Sequence, residues 1–140
     1  MEPHEIVELL NLSPHPEGGR YRQTWRDHDG AGSAIYFLLQ AGERSRWHRI
    51  DRTEVWHLYA GGPLELSQSA DGVAVATVIM GSDLAAGQRP QAVVAPGSWQ
   101  AARPLSGWVL VGCTVSPAFD FAGFELAPSG WEPGRARPTV

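Results

Sequence analysis

A chain of 140 residues has room for one domain with a sizeable core, and 43% apolar with 19% charged residues excludes disordered and collagen-like classes. A formal charge of -4 and a pI of about 5.7 leave no basic field for nucleic acid. The single cysteine, Cys113, excludes an intrachain disulfide and a cysteine-built zinc site, and its apolar surroundings in sequence suit a small buried hydrophobe. Every basic residue is an arginine. The cluster Arg44, Arg46, Arg49 and Arg52 reads either as a solvated face or as a guanidinium site for an anion. The N-terminus has no basic segment followed by an apolar run, and no apolar stretch reaches bilayer-crossing length, so a cytoplasmic protein with no membrane partner is expected.

Residues 3–11 carry the one helical pattern. Pro3 suits the first turn, Glu2 and Glu5 favour the helix dipole, and Ile6, Val7, Leu9 and Leu10 form an apolar stripe. Ser13-Pro14-His15-Pro16-Glu17-Gly18-Gly19 stops it. From Arg20 onward short β-rich runs alternate with Gly, Pro, Asp and Ser. They span residues 21–25, 34–40, 46–50, 55–58, 64–68, 73–80, 91–94, 99–102, 108–115 and 121–126, with a hairpin signal at Ala70-Asp71-Gly72. About ten short strands without helical interruption mean a sandwich or barrel. The helix is expected to cover an open end or face of it. Residues 128–140, rich in Pro, Gly and Arg, read as a loosely held tail on a single domain.

The segment Gly42–Gly61 concentrates the chemistry. Alternation along a strand puts His48 and Ile50 on one face with Trp47 and Arg49 on the other. After the turn at residues 51–53, Glu54, Trp56 and Leu58 share a face and His57 opposes them. A His or Glu turned into a dry interior is costly unless it is hydrogen-bonded, metal-bound or substrate-facing. His4 and His28 read as solvated, His57 as packed, and His15 lies in the Pro-rich turn with Glu17.

The spacing Gly42, His48, Ile50, Glu54, Gly61 resembles the first cupin motif, G-x5-H-x-H-x3,4-E-x6-G, with Ile50 in place of its second histidine. Pro96-Gly97-Ser98-Trp99-Gln100 is similar to the second motif, with Gln100 in place of its histidine. These blocks, together with His15–Gly19, Ser33–Leu39, Glu54–His57 and Val111–Pro117, closely resemble one branch, the single-domain fifth cupin family, over about residues 5 to 127.

The resemblance implies an all-β jelly-roll barrel like that of dTDP-4-dehydrorhamnose epimerase, with one short N-terminal helix, and a homodimer in which Ala34–Leu39 suits an intersubunit position. It implies no settled activity; the expected ligand is a small polar or anionic, sugar- or nucleotide-like molecule inside the barrel, and the resemblance of the block His15–Gly19 gives His15 a role at the barrel mouth. Three functional readings follow. The first is a metal-independent isomerase or epimerase with His48 as base, Glu54 orienting it or stabilising imidazolium, and Tyr36 or Tyr59 as acid. Trp56, Gln100 and Tyr36 are its expected ligand-binding residues. The second is a metal-dependent dioxygenase or isomerase holding a divalent transition metal on His48, Glu54 and Gln100, a donor set poor in imidazole. The third is a ligand-binding or structural dimer without turnover.

Overall fold

The computed structural model describes residues 1–135. A helix, α1 (Pro3–Leu10), precedes the strands β1 (Ser13–Pro14), β2 (Arg20–Arg26), β3 (Ser33–Leu39), β4 (Ser45–Ile50), β5 (Thr53–Gly61), β6 (Leu64–Ser69), β7 (Ala76–Met80), β8 (Gln91–Val94), β9 (Trp99–Pro104), β10 (Val109–Ser116) and β11 (Phe124–Leu126). They form two antiparallel sheets, in the orders β1-β2-β3-β10-β5-β8 and β11-β4-β9-β6-β7. The architecture is all-β, two antiparallel sheets with one short helix. The sheets face each other as a sandwich, and among the described residues no hydrogen-bonded ladder between them closes the barrel.

Local chemistry explains where the elements depart from the sequence pattern. The run 73–80 keeps strand geometry only from Ala76, because Asp71 Oδ1 accepts the backbone N–H groups of Val73 and Ala74 and draws them into the turn. Residues 121–123 form a 3-10 turn, since the Asp120 carboxylate accepts the Ala122 N–H. β1, at two residues, is too short to show a period. α1 is closed at its start by a Glu2–Glu5 capping box and at its end by Asn11 at φ 56°.

Ile6 seats α1 on the outer face of the six-stranded sheet, against a cluster with Leu12 and Leu38 flanked by Tyr36, Trp108 and Leu110. β3 lies between β2 and β10, so both of its edges are paired within the chain. The main core fills the space between the sheets with Phe37, Leu39, Trp56, Leu64, Leu66 and Met80 among others. Outside the five-stranded sheet, Trp47 and Trp99 pack under Trp131, and the Gly134 N–H donates to the Gly72 carbonyl. Residues 128–135 are therefore docked, a correction to the loose tail. Its last five positions, 136–140, lie outside the described residues. No helix among the described residues is long and apolar enough to cross a membrane.

Candidate functional site

β4 delivers His48 by alternation. Trp47 and Arg49 face outward, where the Arg49 guanidinium sits 4.5 Å over the Trp99 ring and pairs with Glu125 at 2.8 Å. His48 and Ile50 face inward, and His48 is only 2% exposed. On β5, Glu54 and Trp56 are likewise buried, whereas His57 lies outside with Thr114 Oγ1 at 3.0 Å and Gln91 Nε2 at 3.3 Å. Gln100, fully buried on β9, sits opposite His48 in the β4–β9 register.

The hydrogen bonds fix proton positions. His48 Nδ1 lies 2.7 Å from the Arg46 carbonyl oxygen, which only accepts, so the neutral ring carries its proton on Nδ1. The Nε2 lone pair then faces Glu17 Oε1 at 3.5 Å. Glu54 Oε1 accepts from Gln100 Nε2 at 2.9 Å, and Trp56 Nε1 donates to Gln100 Oε1 at 2.9 Å, which sets the orientation of the amide. The Cys113 thiol is a further partner of Glu54. The nearest carboxyl to His48 Nε2 is therefore that of Glu17. Glu54 acts on the ring through charge and is hydrogen-bonded to Gln100.

Glu17 reaches the interior from the loop between β1 and β2. Its backbone carbonyl accepts the Arg46 N–H at 2.7 Å, and its Oε2 accepts the Ser45 hydroxyl. The following Gly18, at φ 109°, passes so close to Arg44 that a Cβ would collide with the Arg44 carbonyl oxygen. The Glu17 N–H donates to His15 Nδ1 at 3.1 Å, which makes that nitrogen an acceptor and leaves the proton of the neutral ring on Nε2.

Burial dominates the titration of all four groups. It raises the Glu17 carboxyl to about 8 against the smaller opposing effect of the Ser45 hydroxyl, and Glu54 to about 7 with help from the Glu17 charge. It lowers His15 to about 4 and also lowers His48, which the Glu54 charge and the Arg46 carbonyl partly restore. Desolvation raises the Cys113 thiol well above its ordinary value. The resting site thus favours neutral imidazoles beside protonated carboxyls.

These groups open onto a cavity of about 180 Å³ between the sheets. Tyr21, Ile35, Ile50, Phe119, Phe121 and Phe124 wall it, and the Phe124 ring stacks on His48 at 5.6 Å. No arginine among the described residues lines it. Arg46 donates to the Ala127 carbonyl at 3.0 Å, Arg49 faces Trp99, Arg52 donates to the Ala118 carbonyl, and Arg44 is exposed.

Of the residues singled out from sequence, His48, Glu54 and the mouth candidate His15 line the cavity, joined by Glu17, which the sequence does not mark. Gln100 stands behind Glu54. Trp56 lies deeper, edge-on to Phe37 at 5.9 Å in the main core, and not on the cavity wall. Tyr36 sits on the outer face of its sheet, in the cluster under α1 and edge-on to the exposed Tyr59 at 6.3 Å. The tyrosine that lines the cavity is Tyr21. Sequence reading missed it along with the Phe119–Phe124 wall. The signal was faint: four aromatic or acidic residues in the six positions after Ala118.

The donor set does not fit a divalent transition metal. The Gln100 oxygen is taken by Trp56, its nitrogen by Glu54, and Ile50 supplies no donor atom. His15 Nδ1 is occupied by the Glu17 N–H. Among the described residues, no three His, Cys, Asp or Glu side chains group as metal ligands would.

The model of the family described as "Cupin superfamily (DUF985)" matches residues 4–127. Among solved structures, protein SO0799 from Shewanella oneidensis is similar at 38% identity and TM-score 0.85, covering 90% of this chain and 84% of that one. A hypothetical protein from Leishmania major is 28% identical with TM-score 0.84, covering 94% and 90%. Oxalate decarboxylase from Bacillus subtilis, 9% identical with TM-score 0.65, is covered over 29% of its length by 81% of this chain and shares the fold alone. No curated protein matches the chain.

Proposed function

The chain belongs to the cupin superfamily, in the family described as DUF985, and on that fold we propose that the cavity is a proton-transfer site acting next to a carbonyl group. The observation that carries this reading is His48 Nε2, unprotonated and 3.5 Å from a Glu17 carboxyl that burial keeps protonated at neutral pH. A base and an acid stand side by side where a small molecule can enter.

In the forward step His48 Nε2 takes a proton from the carbon adjacent to the carbonyl, and the Glu17 carboxyl gives its proton to the carbonyl oxygen. An enol forms beside an imidazolium and a carboxylate, a pair whose attraction is strong in a dry site. In its ionised form Glu54 favours that imidazolium, and the Arg46 carbonyl holds the ring in place through Nδ1. Return of a proton to a different carbon, or to the other face of the same carbon, completes an isomerisation or epimerisation. In that step His48 Nε2 gives up its proton to carbon and the Glu17 carboxylate takes one from the enol oxygen, so both groups return to their starting forms. No redox partner enters the balance.

The test is deuterium uptake from D₂O into a panel of carbonyl compounds with an adjacent C–H, followed by proton NMR. His48→Gln and Glu17→Gln should each slow uptake by roughly 10²-fold or more, the usual size of a general acid or base contribution. Uptake that proceeds equally in the wild type and His48→Gln sinks the proposal. Binding without uptake in the wild type points to the binding-only reading instead.

A further inference from the structure

Three features of the cavity restrict what enters it. The first is sign. Glu17 and Glu54 are both buried in its lining, and no arginine among the described residues faces it. An entering anion would lose its hydration beside two carboxyl groups and gain no cation in return. The second is size. At about 180 Å³ the cavity is only slightly larger than the roughly 150 Å³ void that accommodates benzene, so one ring and a short substituent fill it. The third is the wall. Phe119 and Phe121 meet edge to face at 4.7 Å, Phe121 and Phe124 at 5.7 Å, and Phe121 remains half exposed on the solvent side. Such edges and faces receive another flat ring.

We infer that the site takes an uncharged carbonyl compound of single-ring size, its ring against Phe119, Phe121 and Phe124 and its oxygen toward Glu17 and His48. Phosphorylated sugars and nucleotides are disfavoured by sign. The orientation of the ligand rests on the proton-transfer reading. Its class does not.

The probe pair is 1-phenylpropan-2-one and phenylacetate, which match in shape and differ in charge, with glucose 6-phosphate as the third ligand. Ligand-observed NMR at pH 7.5 reads affinity, and deuterium uptake is followed in the same samples. The ketone should bind at least about tenfold more tightly than phenylacetate, and glucose 6-phosphate should not bind. Phe121→Ser, at a half-exposed position, should weaken the ketone several-fold without moving the thermal midpoint. Phenylacetate or the sugar phosphate binding as well as the ketone overturns the inference, as does a ketone that fails to bind. Ketone binding without His48-dependent uptake removes the catalytic reading and leaves the ligand class standing. His48-dependent uptake into the sugar phosphate does the reverse.

Discussion

The two ends of the space between the sheets are built from the same strands and are almost equally buried. β3 gives Phe37 and Leu39 to one end and Ser33 and Ile35 to the other, and β10 divides in the same way between Val109 with Val111 and Cys113 with Val115. His48 at 2% exposure is nearly as hidden as Leu66 at 0%. The difference lies in unspent hydrogen-bonding capacity. At the apolar end the one polar atom of note, Trp56 Nε1, is given wholly to Gln100. At the cavity end His48 Nε2 and Glu17 Oε1 face each other at 3.5 Å, beyond the usual 2.7–3.2 Å of a good hydrogen bond, so both still have capacity for a third partner. Gln100, held by Trp56 and holding Glu54, is the partition between the two ends.

Substitutions on either side of that partition should separate stability from ligand chemistry. Leu66→Ala in the apolar end removes a fully buried side chain of β6 and should cost about 3 kcal/mol in urea unfolding, with ketone affinity unchanged. A loss of affinity equal to the loss of stability would show that the two ends are one unit. Trp56→Phe keeps a ring and deletes the donor to Gln100. Leaving that buried amide oxygen unpaired should cost about 2 kcal/mol by the same measurement. Unlike Leu66→Ala, it should also slow deuterium uptake, because the Gln100 amide is then free to turn and release Glu54.

How much of this arrangement could be read from the sequence depends on whether a residue sits in a strand. Alternation placed His48, Ile50, Glu54 and Trp56 inward and His57 outward, because the side-chain period is a property of the backbone and needs no tertiary knowledge. The same rule does not tell how far along the strand the cavity extends, so Trp56 and Leu58 seemed equivalent to Glu54 although only Glu54 reaches the void. Tyr36 was misplaced because parity gives two faces without saying which is the interior, and in β3 its partners are Trp108 and Leu110 under α1. Glu17 belongs to a loop, where no period exists. Its position depends on the close passage of Gly18 by Arg44 and on the Ser45 hydroxyl, contacts between segments separated by 28 residues in the chain. The Pro-Glu-Gly-Gly run signalled a turn, and nothing in it signalled that the turn folds inward.

The smallest expected effect is the most specific to the cavity end. Burial raises Glu17 to about 8 and Glu54 to about 7, so the folded protein holds protons there that the unfolded chain releases near 4.5. The stability these carboxyls contribute is complete below about 4.5 and is lost as pH rises through their folded values. His15 and His48 are shifted the other way. Their contribution is complete above 6.5 and is lost as pH falls, for His15 through about 4. The two sets oppose each other between 4.5 and 6.5, and above 6.5 only the carboxyls give a slope. Between pH 6.5 and 8 the wild type should therefore lose stability, and Glu17→Gln, which cannot ionise, should lose about 1 kcal/mol less over the same interval. Leu66→Ala should keep the full wild-type slope, since the apolar end has nothing to titrate. Parallel urea midpoints for the wild type and Glu17→Gln across that interval would mean that Glu17 already carries its charge at neutral pH, and would remove it as the acid beside His48.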